Sequence, residues 1–190
     1  MRKVIATEFI TLDGVVEAPG GDETDHIHRG WQSNYPSQAV GKYKADELAS
    51  VDALLLGRKT YDQFAGYWPG QTSGWFAERM NSIPKYVVST GMRGAEWNNS
   101  SVLGALVEVE ALKGSEGGDL LVYGSTTLVK SLLQHDLVDE LHLVLYPLTV
   151  GGGLSPFDSE DRKMRTFRLK NCRTVKDGIV ILEYERNVGK

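Results

Sequence analysis

The chain has very little cysteine and no long apolar run. Cys172 is its single cysteine, which excludes an intrachain disulfide, a CxxC redox motif and a cysteine-based zinc site. No stretch approaches the roughly 18 consecutive apolar residues of a membrane span, and residues 1–14 lack the apolar core of a signal peptide. We therefore expect a soluble, cytoplasmic protein with no membrane partner. Cys172 lies in a predicted strand, where a small buried side chain is a commoner role than a nucleophile.

The chain also has no block of like charge. Its 21 basic and 25 acidic residues give a net charge of -4, so a nucleic acid is not expected as a partner. The ligands are expected to be small molecules. The composition, 41% hydrophobic and 24% charged over 190 residues, fits a single domain, residues 1–190, with one continuous core.

Metal-ligand patterns are absent as well. The chain has four histidines, and His26 and His28 lie in a long predicted loop, residues 17–36, which is rich in Gly, Pro and Asp. Neither a cysteine nor a third histidine stands at a ligand spacing from these two, so we expect no metal site. A loop of this length needs packing or a ligand to order it, which makes it a candidate lid.

What the chain does contain is a series of short apolar runs that end in small, hydroxyl or cationic residues. Residues 53–56 (ALLL) predict a buried strand, which Gly57 ends before Arg58, Lys59 and Thr60 lead into a helical pattern. Free backbone N–H groups and the positive end of the helix dipole favour an anion at such a turn. The alternative is that Gly57 only makes the turn and the two cations are solvated.

Two later turns repeat this pattern. Residues 85–89 (KYVVS) predict a strand that ends in Ser89 and Thr90, with Arg93 shortly after it. Residues 119–123 (DLLVY) predict another buried strand, which ends at Tyr123. The residues that follow are small or hydroxyl-bearing and lead into an apolar helix face: Gly124, Ser125, Thr126, Thr127 and Leu128.

Strands alternate with helices along most of the chain, which predicts an α/β fold with a mainly parallel sheet. The first strand is expected over residues 3–12. Residues 167–175 and 179–186 flank a turn, Lys176-Asp177-Gly178, and predict a closing antiparallel hairpin. The carboxyl ends of parallel strands share one edge of a sheet, so the three turns should open on the same side. An NADP-type dinucleotide suits them, because amides hold a pyrophosphate and guanidinium groups an additional phosphate.

A helix is also predicted before the central strand. Ser37 is its expected cap and Ser50 its approximate end. Its apolar residues are expected to face inward: Val40, Tyr43 and Leu48. Its charged residues are expected to lie mostly outside: Lys42, Lys44, Asp46 and Glu47.

These motifs together resemble a known family. The order LLLGRKTYDQF, KYVVST, LLVYGSTTLVKSLL, then a strand, a glycine-rich turn and a terminal hairpin resembles the dihydrofolate reductase superfamily. It is most similar to the reductase domain at the carboxyl end of the bacterial riboflavin-biosynthesis deaminase-reductase and to its free-standing relatives, which the TLDG, GRKTY and YWP segments also resemble. The resemblance covers nearly the whole chain. It implies a three-layer fold around a mixed, mostly parallel sheet, NADPH as hydride donor and often a homodimer.

The resemblance also implies where the cofactor lies. The family's phosphate, adenosine and nicotinamide positions fall on a set of residues in this chain: Thr11, Gly57, Arg58, Lys59, Thr60, Ser89, Thr90, Arg93, Tyr123, Gly124, Ser125, Thr126, Thr127 and Leu128. Asp13 and Gly14 would lie near the nicotinamide. Ser125 stands where the family typically has a second glycine, so its backbone has less room to approach a phosphate.

The substrate is less constrained. Gly41 falls where dihydrofolate reductases carry a buried carboxylate, which argues against dihydrofolate. The expected activity is NADPH-dependent hydride transfer to a small heterocyclic, pterin-like or ribosylaminopyrimidine substrate, similar to 5-amino-6-(5-phosphoribosylamino)uracil reductase. Asp13 and Asp46 are the candidate proton donors, although a turn role for Asp13 and a solvated one for Asp46 are the commoner alternatives. The second hypothesis is a protein of this fold that binds NADP(H) without catalysis.

Overall fold

The computed structural model describes residues 1–21, 25–158 and 161–187. Its eight strands form one sheet in the order β4-β3-β2-β5-β1-β6-β8-β7. The strands are β1 (Val4–Thr11), β2 (Ala53–Gly57), β3 (Lys85–Val88), β4 (Ser100–Leu103), β5 (Leu120–Tyr123), β6 (Glu140–Tyr146), β7 (Phe167–Thr174) and β8 (Val180–Arg186). Strands β1 to β6 run parallel to one another, whereas β8 is antiparallel to both β6 and β7. The mixed sheet and the closing hairpin are thus as the sequence predicts.

Helices connect the parallel strands except β3 and β4, which a loop joins. They are α1 (Gln38–Ala49), α2 (Arg58–Tyr67), α3 (Trp75–Ser82), α4 (Leu106–Gly114) and α5 (Thr126–Gln134). The predicted cap of α1 is confirmed, because the Ser37 hydroxyl accepts a hydrogen bond from the backbone N–H of Val40. Within the described residues, no helix has the length and apolar character that crossing a membrane requires.

Alternate residues of the central strands face two different helix layers. Leu54 and Leu56 of β2 pack with α1, α2 and α3, while Leu55 packs with α4 and α5 on the opposite face. All five residues of β2 are buried, which explains why its sequence is a continuous apolar run rather than an alternating one. Helices on both faces of one sheet give the three-layer architecture that the family resemblance implies.

The segment after β1 packs onto the end of β6. Trp31, in a short 3₁₀ turn (Trp31–Asn34), is buried, and its ring meets that of Tyr146 edge-on at 5.2 Å. Part of the predicted lid is therefore ordered by aromatic packing. Residues 22–24 of that loop lie outside the described residues.

Three predictions made for individual positions are wrong. Cys172 is exposed rather than buried, because β7 is an edge strand in which every residue is half-exposed or exposed. Glu47 is buried rather than outside, and Lys44 is half-buried, because the two side chains pair with each other beneath α1.

Candidate cofactor and substrate site

The turns after β2, β3 and β5 lie side by side at one edge of the sheet. These strands are direct neighbours and run parallel, with Gly57 opposite Val88 and Leu55 opposite Val122. Their carboxyl ends therefore share the same edge, where ligands of open α/β sheets bind. The cofactor residues predicted on these turns are brought together by this topology.

Gly57 and Ser125 are in close contact where two of these turns meet. A Cβ atom at Gly57 would lie only 2.1 Å from the Ser125 hydroxyl oxygen and 2.4 Å from its Cβ. The backbone of Gly57 is extended, with φ -78° and ψ 160°, so its conformation does not require glycine. Gly57 is needed instead because the Ser125 side chain occupies the space that any larger residue would fill.

The turn after β5 has an unusual backbone. Gly124 and Ser125 have φ values of 58° and 62°, in the left-handed region that disfavours residues with a Cβ. Ser125 is the N-cap residue of α5 but makes no side-chain capping hydrogen bond. The first N–H groups of α5 therefore lack a side-chain cap, and an uncapped helix start with a glycine beside it fits a phosphate.

Arg58 and Arg93 line the same cavity. This cavity has a volume of about 530 Å³ and lies between the start of α2 and the loop after β3. Nε of Arg58 donates to Oδ2 of Asp62 at 2.6 Å, and both side chains of this pair are half-exposed. The carboxylates of Asp62 and Glu96 line the same cavity. Arg93 and the remaining N–H groups of Arg58 are the donors that suit a phosphate there.

The other predicted cofactor residues line these turns or β1. Lys59 is exposed in the first turn of α2, and Thr60 is half-buried there, with its hydroxyl 3.8 Å from the position of a Cβ at Gly124. The backbone N–H of Ser89 donates to the carbonyl of Leu103, and Thr90 is exposed. The remaining positions lie at the ends of β1 and β5 and in the first turn of α5. Thr127 is exposed, and the others are buried or half-exposed: Thr11, Tyr123, Thr126 and Leu128.

Asp13 ties the end of β1 to the glycine-rich loop after β6. The Thr11 hydroxyl donates to its Oδ1 at 2.5 Å, and the backbone N–H groups of Val150 and Gly151 donate to its Oδ2 at 3.1 and 2.8 Å. These donors, the Thr11 hydroxyl first, lower the pKa of Asp13 below its ordinary value. The carboxylate therefore holds two loops together, and its role as a proton donor stays a prediction.

Two neighbouring acidic residues of α1 have opposite environments. Asp46 is exposed, and its carboxylate accepts from the ammonium of Lys42 at 2.8 Å. Glu47, one residue later, is buried against β1 and β6. The proton-donor role of Asp46 also stays a prediction, but the buried carboxylate of this helix is Glu47.

Glu47 is the centre of a buried polar network. The Lys44 ammonium donates to its Oε2 at 2.6 Å and to the Thr7 hydroxyl at 2.6 Å. Nδ1 of His142 lies 2.7 Å from Oε1 of Glu47, so the ring N–H donates to the carboxylate. Burial alone would raise the pKa of Glu47, but the Lys44 charge and the His142 hydrogen bond outweigh it and lower the pKa to about 2.

The Lys44 ammonium also lies over aromatic rings. It is 4.8 Å from the ring centroid of Tyr123 and 5.3 Å from that of Phe9. The Tyr123 hydroxyl donates to the backbone carbonyl of Lys44 at 3.2 Å. These contacts fix the lysine between α1 and the end of β5.

Glu8 is a second buried carboxyl with a different environment. It is 6% exposed, and its Oε1 has no hydrogen-bond partner within the described part of the chain. Burial raises the pKa of Glu8 to about 8, against a weaker lowering by the Lys44 charge. Sequence patterns give no signal for this residue beyond its place in a strand.

The histidine pair of the loop does not form part of a larger ligand cluster. In residues 1–21, 25–158 and 161–187, no group of three or more His, Cys, Asp or Glu side chains is arranged for a metal ion. Nε2 of His26 lies 2.8 Å from the carbonyl oxygen of Gly152, and His28 lines a cavity of about 500 Å³ with Tyr35 and Val150.

Sequence reasoning missed the network around Glu47. One signal was present: Glu47 follows Tyr43 by four residues and therefore lies on the same inner face of α1. Its partners could not be found in this way, because Thr7 and His142 are 40 and 95 residues away.

Comparison with known proteins identifies the family. The model of the RibD C-terminal domain matches residues 2–181. The chain belongs to the RibD C-terminal domain family. The chain is 29% identical in sequence to the uncharacterized protein YyaP of Bacillus subtilis, and the match covers 98% of the chain and 96% of YyaP.

Solved structures agree with this assignment at the level of the fold. A protein from Shewanella sp. PV-4 named for riboflavin biosynthesis superposes with a TM-score of 0.76 at 22% identity, over 97% of this chain and 99% of that one. Dihydrofolate reductase from Enterococcus faecalis, complexed with NADP(H), has a TM-score of 0.61 at 15% identity, over 97% and 96%. The deaminase/5-amino-6-(5-phosphoribosylamino)uracil reductase of Thermotoga maritima has a TM-score of 0.65 at 16% identity, over 97% and 56%. The RibD C-terminal domain protein thus has the dihydrofolate reductase-like fold that its motifs predict.

Proposed function

We propose that this RibD C-terminal domain protein is an NADPH-dependent reductase of a small heterocyclic substrate. The observation that carries the proposal is the meeting of three turns at one sheet edge, with Gly57 against Ser125 and two arginines on one cavity. Similarity in fold to an NADP(H)-complexed dihydrofolate reductase supports the choice of cofactor. We propose further that residues 1–190 form one domain and that the protein is cytoplasmic.

The residues at this edge fit the cofactor they are proposed to hold. Gly124 and the uncapped start of α5 suit the pyrophosphate, with Thr126 and Thr127 as hydroxyl donors. Arg58 and Arg93 suit the 2′-phosphate that distinguishes NADPH from NADH. Thr11, at the end of β1, is proposed to lie near the nicotinamide.

The reduced nicotinamide supplies a hydride when it is bound. The protein's own part is to orient the substrate and to exclude water, which the aromatic packing around Trp31 and Tyr146 favours. Asp13 and Asp46 are kept as the proposed proton donors. A ribosylaminopyrimidine is the proposed type of substrate, supported by the name of the Thermotoga maritima reductase.

Replacement of Arg58 by alanine tests the cofactor assignment. We expect Arg58→Ala to weaken NADPH binding by about 10-fold to 100-fold, the value of one or two charge-assisted hydrogen bonds, and to leave NADH binding unchanged. Isothermal titration calorimetry measures both. Arg168→Ala is the matched control. Arg168 makes a similar exposed ion pair with Glu185, and it lies on β7, the edge strand at the other end of the sheet. Equal losses for the two coenzymes would argue against the 2′-phosphate role.

The alternative is a protein that binds NADP(H) without turnover. It is favoured by the state of the two candidate acids, since Asp13 is held by three donors and Asp46 by Lys42. Absorbance at 340 nm separates the two functions when the NADPH complex is mixed with the uracil substrate of the Thermotoga maritima enzyme. Oxidation of NADPH supports the reductase, and binding without oxidation supports the alternative.

We also propose that the protein is a homodimer. One face of the strands β6, β8 and β7 carries apolar side chains that stay half-exposed or exposed: Leu143, Leu145, Leu169, Cys172, Val180, Leu182 and Tyr184. A second copy is the proposed cover, since a contiguous apolar patch of this kind marks an interface.

Sedimentation velocity tests the dimer. We expect the wild-type protein to sediment as a dimer and Leu182→Lys as a monomer, because a charge at the centre of this face cannot be buried without a partner. Val107→Lys is the control, as Val107 is an exposed apolar residue on α4. A monomeric wild-type protein contradicts the proposal.

A further inference from the structure

Lys85, the first residue of β3, is a lysine that is buried without a carboxylate partner. Its side chain is almost inaccessible, at 1% exposed. Within the described residues, its ammonium donates to three backbone carbonyls, those of Asn81 at 3.2 Å, Ile83 at 2.8 Å and Asn98 at 3.0 Å. These acceptors use all three of its N–H groups. Burial lowers the pKa of Lys85 to about 8, so the ammonium stays charged in neutral solution.

The surroundings of this ammonium come from the end of α3 and from an aromatic ring. Asn81 and Ile83 lie at the carboxyl end of α3, where unpaired helix carbonyls and the negative end of the helix dipole favour a cation. The indole ring of Trp97 lies over the ammonium, with Nζ of Lys85 4.2 Å from the ring centroid. Carbonyls and a ring therefore compensate the charge, and the charge in turn fixes the position of that ring.

Trp97 ties down the loop that joins β3 to β4, residues 89–99. Within this range, all of which the structure describes, Trp97 is the single buried residue. Its indole N–H donates to Oδ1 of Asn81 at 2.9 Å, and its backbone N–H donates to the hydroxyl of Tyr61 at 2.8 Å. The loop contains neither helix nor strand, so its path depends on such fixed points.

The same loop forms one side of the cavity that is proposed to hold the 2′-phosphate. Arg93 and Trp97 both line this cavity, together with Arg58 and Tyr61 of α2. Arg93 is exposed, and its guanidinium makes no hydrogen bond or ion pair with any residue that the structure describes. The position of Arg93 therefore depends on the backbone of the loop, which Trp97 fixes four residues later.

We infer that Lys85 and Trp97 form a clamp that positions Arg93 for the 2′-phosphate, so that a buried lysine outside the cofactor site contributes to the preference for NADPH over NADH. The inference rests on the proposed reductase function, which gives Arg93 that phosphate as its ligand. Lys85 is a positioning residue, because it acts on the phosphate site only through Trp97 and the loop.

Lys85→Met tests the clamp, because methionine has a similar length but lacks the charge and the three donors. We expect NADPH binding to weaken by about 10-fold, the value of one charge-assisted hydrogen bond from Arg93, and NADH binding to stay unchanged, both measured by calorimetry. Lys113→Met is the matched control. Lys113 is also a buried lysine that donates to a backbone carbonyl, that of Leu137, but it pairs with Asp139 beside the start of β6. This control should lower stability without changing either affinity, and an unchanged NADPH affinity in Lys85→Met would overturn the inference.

Trp97→Leu removes the other half of the clamp and leaves the carbonyls around Lys85 in place. It should weaken NADPH binding by about 10-fold as well, again without a change for NADH. Trp75→Leu is the control, because Trp75 is an exposed tryptophan at the start of α3, and it should change neither affinity. Unchanged NADPH binding in Trp97→Leu would overturn the inference even if Lys85→Met fails to fold. Equal losses for the two coenzymes would also overturn it, since they would show that Trp97 contacts the coenzyme directly.

Fluorine NMR of protein labelled with fluorotryptophan reports on the clamp without any coenzyme. The chain has four tryptophans, and Trp97→Leu assigns the resonance of Trp97. We expect this resonance to shift or broaden in Lys85→Met and to stay unchanged in Lys113→Met. An unperturbed resonance in Lys85→Met would contradict the clamp alone, whereas wild-type protein that binds no NADPH would contradict the reductase and, with it, the role of Arg93.

Discussion

The cofactor turns and the network around Glu47 lie in one molecule but are built in opposite ways. Each turn is made of residues adjacent in sequence, and Arg58, one of the charged residues on them, is half-exposed. The network joins residues up to 95 positions apart, and Glu47 and His142 are both buried. Exposed charges on turns contribute little to the stability of the fold and are free to bind a ligand. Removing one member of a buried charge network, by contrast, lowers the stability of the fold strongly.

The largest effect is expected from breaking the network at its centre. Glu47→Gln removes the charge that pairs with Lys44 and leaves a buried ammonium uncompensated. We expect the free energy of unfolding to fall by about 3–5 kcal/mol, the usual cost of removing one partner of a buried ion pair. Urea denaturation followed by circular dichroism measures it.

Asp46→Asn is the matched control for this change. Asp46 is the preceding residue of α1 and is exposed, so its replacement should alter stability by less than about 0.5 kcal/mol. The two variants should also differ in their dependence on pH. The pKa of Glu47 is lowered to about 2 in the folded protein, so its contribution is present above its ordinary value of 4.5 and is lost as the pH falls towards 2. Glu47→Gln should lack that loss, and similar acid profiles for all three proteins would refute the network.

The same contrast explains what the sequence could predict. The apolar run before Gly57 and the cations after it are contiguous, so the strand, the turn and the candidate phosphate site follow from local rules. The burial of Glu47 depends on Thr7 and His142, which only the folded sheet brings near. The exposure of Cys172 likewise depends on the position of β7 at the sheet edge, which strand order decides and local pattern does not.

Glu8 is a buried carboxyl that lacks the direct ion pair which Glu47 makes with Lys44. The two residues are therefore expected to give opposite dependences of stability on pH. The pKa of Glu8 is raised to about 8, above its ordinary value of 4.5. The folded state therefore retains a proton that the unfolded state has lost, and stability should fall as the pH rises between these values, by about 1.4 kcal/mol per pH unit. Glu8→Gln should remove this slope, which denaturation at several pH values measures.

Glu78→Gln serves as the control for Glu8, because Glu78 is exposed in the first turn of α3. It should keep the wild-type slope between pH 4.5 and 8. A wild-type protein whose stability is flat over this range would show that Glu8 is ionised at its site and would remove the distinction between the two buried carboxyls.

A smaller effect is expected at Asp13, which connects the turn region to the glycine-rich loop. Asp13→Asn keeps one oxygen for Val150 and Gly151 but loses the charge. We expect the free energy of unfolding to fall by about 1 kcal/mol, the net value of one hydrogen bond. Steady-state oxidation of NADPH tests the proposed acid role in the same variant. A loss of kcat by about 100-fold or more supports proton donation, and an unchanged kcat assigns Asp13 to loop positioning alone.

The smallest effect is expected where the turn itself is strained. Ser125 has φ 62°, which is unfavourable for a residue with a Cβ by about 1–2 kcal/mol. Ser125→Gly relieves that strain but adds roughly 0.5–1 kcal/mol of conformational entropy cost, so the free energy of unfolding should rise by less than about 1 kcal/mol. NADPH should bind more tightly by calorimetry, since the backbone gains room beside the proposed pyrophosphate site. Weaker binding would mean that the Ser125 hydroxyl itself contacts the phosphate, and the exposed turn would then depend on a side chain as much as the buried network does.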